Sequence, residues 1–202
     1  MESLKIFNLQ KLNFLQNASL KIGVLGGSFD PSHIGHLAIS SQAIKYYKFD
    51  YIIWLVANQN PHKTKYINHI YLRAKNALAI AIHPKIIIST LERDLNCYYS
   101  YDSLSYLVKK FTKVKFTWLM GIDCVNNFRK WHRSEEIQNL CDIIIFDRPG
   151  QFRLLNIETL GLNTSKNINK AKLAKIESPH IIIHRGVLCD LSSTILRNNK
   201  LI

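Results

Sequence analysis

Six short apolar runs, at 21–25, 51–57, 85–89, 115–120, 142–146 and 180–184, set the strongest constraint on what this chain can fold into. Each is nearly continuous in Ile, Val, Leu and aromatic residues, the pattern of a strand covered on both faces. Between them lie helix-like stretches at about 34–47, 69–82, 100–111 and 134–140, with others at 169–175 and from Ser192. This alternation predicts an α/β fold, a doubly wound parallel sheet with helices on both sides. Such sheets bind ligands beyond the carboxyl ends of their strands. Residues 1–19 are mixed in character and are expected as a short N-terminal extension, with 20–202 forming a single domain. Within it, 151–175 is rich in Asn and Lys and reads as a surface excursion.

No apolar run approaches the ~20 residues that would span a bilayer. The first ten residues lack the apolar core and cleavage site of a secretory signal, so a cytoplasmic location is expected. Cys97, Cys124, Cys141 and Cys189 are too far apart in sequence for a zinc or redox motif, and are expected as reduced, mostly buried thiols. The net charge of +13 admits anionic partners. Its lysines, however, are dispersed, with no basic run of five and no aromatic-studded basic strand, which argues against a nucleic-acid surface.

The first run leads into Gly26-Gly27-Ser28-Phe29-Asp30-Pro31-Ser32-His33-Ile34-Gly35-His36-Leu37. A strand that ends in glycines and feeds a helix gathers backbone N–H groups and a positive helix end, a site for polyphosphate. His33 and His36 share one face of the first helical turn. Adjacent glycines exclude the dinucleotide fingerprint, and the missing Gly-Lys-Ser/Thr excludes a P-loop. A zinc role for the two histidines lacks a third ligand at suitable spacing.

The stretch 27–36 resembles the G-x-F-D-P-x-H-x-G-H signature of the nucleotidyltransferase superfamily with the H-x-G-H motif. Leu191-Ser192-Ser193-Thr194-Ile195-Leu196-Arg197 resembles its second signature, I-S-S-T-x-I-R. The resemblance covers about 20–200 and implies a Rossmann-like sheet. Physically, Ser192, Ser193 or Thr194 can cap a helix facing phosphate, and Arg197 can reach the same anion as a forked donor.

The acceptor is read from the middle of the chain. Asn58-Gln59-Asn60-Pro61-His62-Lys63 resembles the N-x-x-P-H-K loop of nicotinate-nucleotide adenylyltransferases. Leu91-Glu92-Arg93, the run from Tyr99-Ser100, Gly121-Ile122-Asp123, the segment ending in Trp131, and Asp147-Arg148-Pro149-Gly150 resemble further segments of that family in order. The resemblance implies ATP at Gly26, Gly27, Ser28, Phe29, His33, His36, Gly121, Asp123, Ser192, Ser193, Thr194 and Arg197. It implies nicotinate mononucleotide at Asn58, Tyr99, Ser100, Trp131 and Arg148. Trp131 would stack on the electron-poor pyridinium by quadrupole attraction, with His132 and Arg133 adding positive charge.

Catalysis would fall to His33, His36, Lys63 and Arg197, acting by position and charge, because the acceptor phosphate is already anionic. Mg²⁺ is expected with ATP, held by phosphates and water, with no protein ligand assigned. The alternatives are a nicotinamide-nucleotide or pantetheine-phosphate adenylyltransferase on the same fold, or a non-catalytic nucleotide- or RNA-binding protein.

Overall fold

The computed structural model describes residues 6–58, 68–147 and 181–184. The expected helices at 169–175 and from Ser192, and the 151–175 excursion, lie outside them. The strands are β1 (Ile6–Phe7), β2 (Lys21–Gly27), β3 (Tyr51–Val56), β4 (Ile86–Ser89), β5 (Lys115–Gly121), β6 (Asp142–Phe146) and β7 (Ile181–His184). The helices are α1 (Ile34–Tyr47), α2 (Ile70–Ile80), α3 (Leu91–Asp94), α4 (Ser100–Lys110), α5 (Val125–Phe128) and α6 (Ser134–Leu140). All strand pairs are parallel, in one seven-stranded sheet of order β1-β4-β3-β2-β5-β6-β7.

Because side chains alternate along each strand, two separate cores form. On one face Leu25, Trp54, Val56 and Leu119 pack with Ile39 and Ala43 of α1 and with Ile70, Ala74 and Ala77 of α2. On the other, Val24, Ile53, Trp118 and Ile143 pack with Leu104 and Leu107 of α4 and Ile137 of α6. Helices therefore cover both faces, as the apolar runs predicted. From β2 the chain winds outward through β3 to β4, then returns to β5 on the other side and winds outward through β6. The direction reverses between β2 and β5, the point at which such sheets bind ligands beyond the carboxyl ends of their strands.

The N-terminal segment does more than extend the chain. Ile6 and Phe7 pair with Ile88 and Ser89 of β4, and Leu12 and Leu15 are fully buried in the second core. The strand ends in glycines as expected, and Gly26 and Gly27 extend it two residues past the apolar run as the last rungs of β2, paired with Leu55 and Val56. The reason for Gly26 is packing. A Cβ there would lie 2.2 Å from Cη2 of Trp118 on the neighbouring strand.

Candidate active site

Beyond Gly27 the chain turns through Phe29, whose φ of 48° is a left-handed conformation unusual for a bulky residue. Burial of its ring compensates. The ring stacks on Trp54 at 5.2 Å and 14°, and its other neighbour is the His36 imidazole at 4.7 Å. Trp54 Nε1 donates to Ser40 Oγ at 2.7 Å, and Ser40 Oγ donates to the His36 carbonyl at 2.9 Å. One turn of α1 and the middle of β3 thus hold His36 from two directions.

His33 is the N-cap of α1, in extended conformation. Its Nδ1 accepts the Gly35 N–H at 3.1 Å, while His36 Nδ1 accepts the His33 N–H at 3.2 Å. The pair forms a reciprocal capping box built from imidazoles in place of the usual hydroxyl and carboxylate. A ring nitrogen that accepts carries no hydrogen, so each neutral ring holds its proton on Nε2. With centroids 3.9 Å apart, the two rings bring two Nε2–H donors into one neighbourhood. No acidic residue stands in the first turn of α1, so nothing there offsets the positive helix end.

Gly121 ends β5, the strand beside β2, and the exposed Asp123 follows in a short 3-10 helix. Asn58 follows β3 on the other side. Its N–H donates to Glu92 Oε2 at 2.9 Å and its carbonyl accepts from Arg73 Nη2 at 3.0 Å. Both of its backbone polar groups are thus engaged, and its carboxamide is what it can offer a ligand. Tyr99 is the N-cap of α4 and Ser100 its first residue. Tyr99 meets the His132 ring at 4.5 Å, so the segment carrying Trp131 docks on the start of α4. Trp131 is half-buried and edge-on to Trp118 and Phe128 at 6.2 and 5.4 Å. Arg133, expected as added positive charge, is engaged by Glu136 at 2.9 Å and lies 3.9 Å over the Tyr101 ring.

The structure therefore gathers Gly26, Gly27, Ser28, Phe29, His33 and His36 along the passage from the end of β2 to the first turn of α1, with Gly121 and Asn58 at the ends of the flanking strands. Tyr99, Ser100 and Trp131 form a second group. Lys63, Arg148, Ser192, Ser193, Thr194 and Arg197 lie outside the described residues. Among the described residues no three His, Cys, Asp or Glu side chains group as a metal site, and no helix is long and apolar enough to cross a membrane.

Sequence reasoning passed over Arg73 and gave Glu92 no role. Burial raises the Glu92 carboxyl to about 7, against hydrogen bonds from the Asn58 N–H and Ser103 Oγ and the charge of Arg73. Burial lowers the Arg73 guanidinium, while the charges of Asp30 and Glu92 oppose that shift. A signal existed for Arg73, which falls on the apolar stripe of α2 with Ile70, Ala74 and Ala77. A charged residue on such a stripe needs buried partners.

The chain is similar to known proteins in both sequence and fold. Residues 24–199 match the family described as cytidylyltransferase-like. A probable nicotinate-nucleotide adenylyltransferase of Bradyrhizobium sp. (strain ORS 278) is 35% identical, over 89% of this chain and 96% of that protein. One from Cereibacter sphaeroides (strain ATCC 17025 / ATH 2.4.3) is 31% identical over 87% and 96%. The solved structure of Plasmodium falciparum nicotinic acid mononucleotide adenylyltransferase complexed with NaAD superposes with a TM-score of 0.63 at 17% identity, covering 89% and 83% of the two chains. That likeness speaks to the fold. The sequence matches speak to descent, and by them the chain belongs to the cytidylyltransferase-like family, among its nicotinate-nucleotide adenylyltransferases.

Proposed function

We propose that this protein transfers the adenylyl group of ATP to nicotinate mononucleotide, giving nicotinate adenine dinucleotide and pyrophosphate in NAD biosynthesis. The observation that carries the reading is the imidazole capping box, with both Nδ1 atoms accepting backbone N–H groups at the start of α1. It presents two Nε2–H donors beside a positive helix end, which suits a substrate whose charge builds on phosphate oxygens.

In the reaction an oxygen of the acceptor phosphate forms a bond to the α-phosphorus. The bond from that phosphorus to the α–β bridging oxygen breaks, and its electron pair leaves with pyrophosphate. The nucleophile is already ionised, so no general base is needed. His33 and His36 donate to the phosphate oxygens as the bridging bond breaks. The burial of Phe29, Trp54 and Ser40 around His36 fixes its ring before substrate arrives, so little reorganisation accompanies the transfer. Lys63, Arg197 and the Ser192–Thr194 cap are assigned to the β- and γ-phosphates on their sequence signatures. Mg²⁺ bound to ATP would be held through phosphate oxygens and water and would offset the charge on the departing pyrophosphate, with no protein ligand assigned to it.

Gly121 and Asp123 are assigned to the adenosine side of the site, and Asn58, Tyr99, Ser100, Trp131 and Arg148 to the mononucleotide. With Arg133 held by Glu136, the preference for the acid rests on backbone N–H groups beside Trp131 and on His132. A cytoplasmic location accompanies this reading. The test is pyrophosphate release from MgATP with nicotinate mononucleotide, nicotinamide mononucleotide or phosphopantetheine as acceptor. Fastest turnover with the first is expected. Preference for either of the others reassigns the acceptor, and no turnover with any of them leaves a binding protein.

A further inference from the structure

Arg73 is 1% exposed, yet it is not part of an ion pair within 4 Å among the described residues. Its three nitrogens go to three backbone carbonyls. Nη1 donates to Ser28 at 2.6 Å, Nη2 to Asn58 at 3.0 Å and Nε to Asn68 at 2.6 Å. Ser28 belongs to the turn after β2 and Asn58 to the end of β3, so one rigid planar group spans the two strand ends. Glu92, 4% exposed at the start of α3, takes the Asn58 N–H on the opposite side of the same residue. Ser103 Oγ donates to the other carboxylate oxygen at 3.3 Å and so orients it. Asp30, two residues beyond Ser28, accepts from the Asn68 amide nitrogen and side chain at 3.3 and 2.7 Å.

We propose that Arg73 and Glu92 are positioning residues: a buried clamp that fixes the spacing between the ATP-side turn at Ser28 and the acceptor-side residue Asn58. The clamp rests on the adenylyl-transfer reading and deepens it. In-line transfer between two bound substrates depends on their mutual placement, and a misplacement of about 1 Å costs roughly 100-fold in rate. A guanidinium can satisfy three carbonyls in fixed directions at once, whereas an ammonium is a point donor on a flexible stem. Neither clamp residue need touch a substrate. Its loss should therefore separate the two substrates without abolishing the binding of either.

The test uses the full chain with Arg73→Lys and Glu92→Asp, which keep an ionisable group of the same kind at each position but alter its reach. Folding is checked by circular dichroism, and Glu92→Asp carries the test if Arg73→Lys does not fold. We expect kcat to fall 10- to 100-fold in a folded variant. Binding of a non-hydrolysable ATP analogue alone, and of nicotinate mononucleotide alone, should stay within about threefold of the unaltered protein by calorimetry. A folded variant with kcat within threefold of normal overturns the clamp. So does a raised KM at unchanged kcat, which would mean ordinary loss of binding. An unaltered protein that releases no pyrophosphate overturns the transfer reading and the clamp together, whereas an active protein with unimpaired variants overturns the clamp alone.

Discussion

Gly23 and Gly26 stand three residues apart on β2 and face opposite cores, so the same substitution should have different effects. A Cβ at Gly23 would meet Cδ1 of Ile52 at 2.7 Å and Cδ1 of Leu119 at 2.8 Å, both terminal methyls that can turn aside. At Gly26 it would lie 2.2, 2.8 and 3.2 Å from Cη2, Cζ2 and Cζ3 of Trp118. That ring is rigid, 1% exposed, and has Trp131 edge-on at 6.2 Å. It would have to retreat by more than an ångström, and its retreat presses on Trp131. Overpacking of this kind costs about 2–3 kcal/mol for Gly26→Ala, against about 1 kcal/mol for Gly23→Ala. Trp118→Phe removes the ring edge that collides and costs about 1–2 kcal/mol alone through the space it leaves. In the double variant the two losses should be subadditive by about 1–2 kcal/mol. Urea unfolding followed by far-ultraviolet circular dichroism, with unchanged m values, measures the unaltered protein and all four variants. The KM for the acceptor should also rise in Gly26→Ala, through Trp131. Equal effects at the two glycines, or a strictly additive cycle, would refute the packing argument.

Three further outcomes are expected. Burial lifts the Glu92 carboxyl from 4.5 to about 7, so the folded protein keeps a proton that the unfolded chain has released. Its contribution to stability is complete below about pH 4.5 and is lost as pH rises through about 7. The groups acting on it are Arg73 of α2, Asp102 and Ser103 of α4 and the Asn58 N–H, with Cys97 nearby. The stability difference between the unaltered protein and Glu92→Gln should therefore change by about 2–3 kcal/mol between pH 5 and 8, and a flat difference would exclude Glu92 as the titrating group. His36→Ala should lower kcat by at least about 100-fold, while loss of its capping bond costs about 1 kcal/mol of stability; near-normal kcat would remove the imidazole from the mechanism. Trp131→Ala should mainly raise the KM for nicotinate mononucleotide, and an unchanged KM would place the pyridine ring elsewhere.

The sheet and the course of the chain from Gly27 into α1 were legible because both depend on local pattern. Buried parallel strands read as apolar runs, and Gly27 to His36 carries its chemistry in consecutive residues. Residues whose roles depend on long-range contact were not legible in the same way. Gly26 is glycine because of a tryptophan on a strand 92 positions later in the sequence. Arg73 reaches a carbonyl 45 positions away and Glu92 an amide 34 away. Ile6 and Phe7 read as unremarkable because a two-residue strand has no periodicity of its own. Arg133 shows the converse, since its charge was plain in the sequence but its engagement with Glu136 depended on a left-handed residue opening α6.

That two-residue strand has a further role at the rim of the sheet. β4 reads Ile86-Ile87-Ile88-Ser89, and without β1 its outer hydrogen-bonding groups would offer a template for another chain. Phe7 guards that rim by several bonds at once. Its carbonyl accepts from the Thr90 N–H at 3.1 Å and from Ser89 Oγ at 2.9 Å, and two residues later the Leu9 N–H is held by Asp94 at 2.7 Å. The segment then anchors itself with Leu12 and Leu15 in the core. A protein begun at residue 20 would keep the turn between β2 and α1 but lose this cover. Its characteristic failure would be self-association through β4 rather than loss of chemistry.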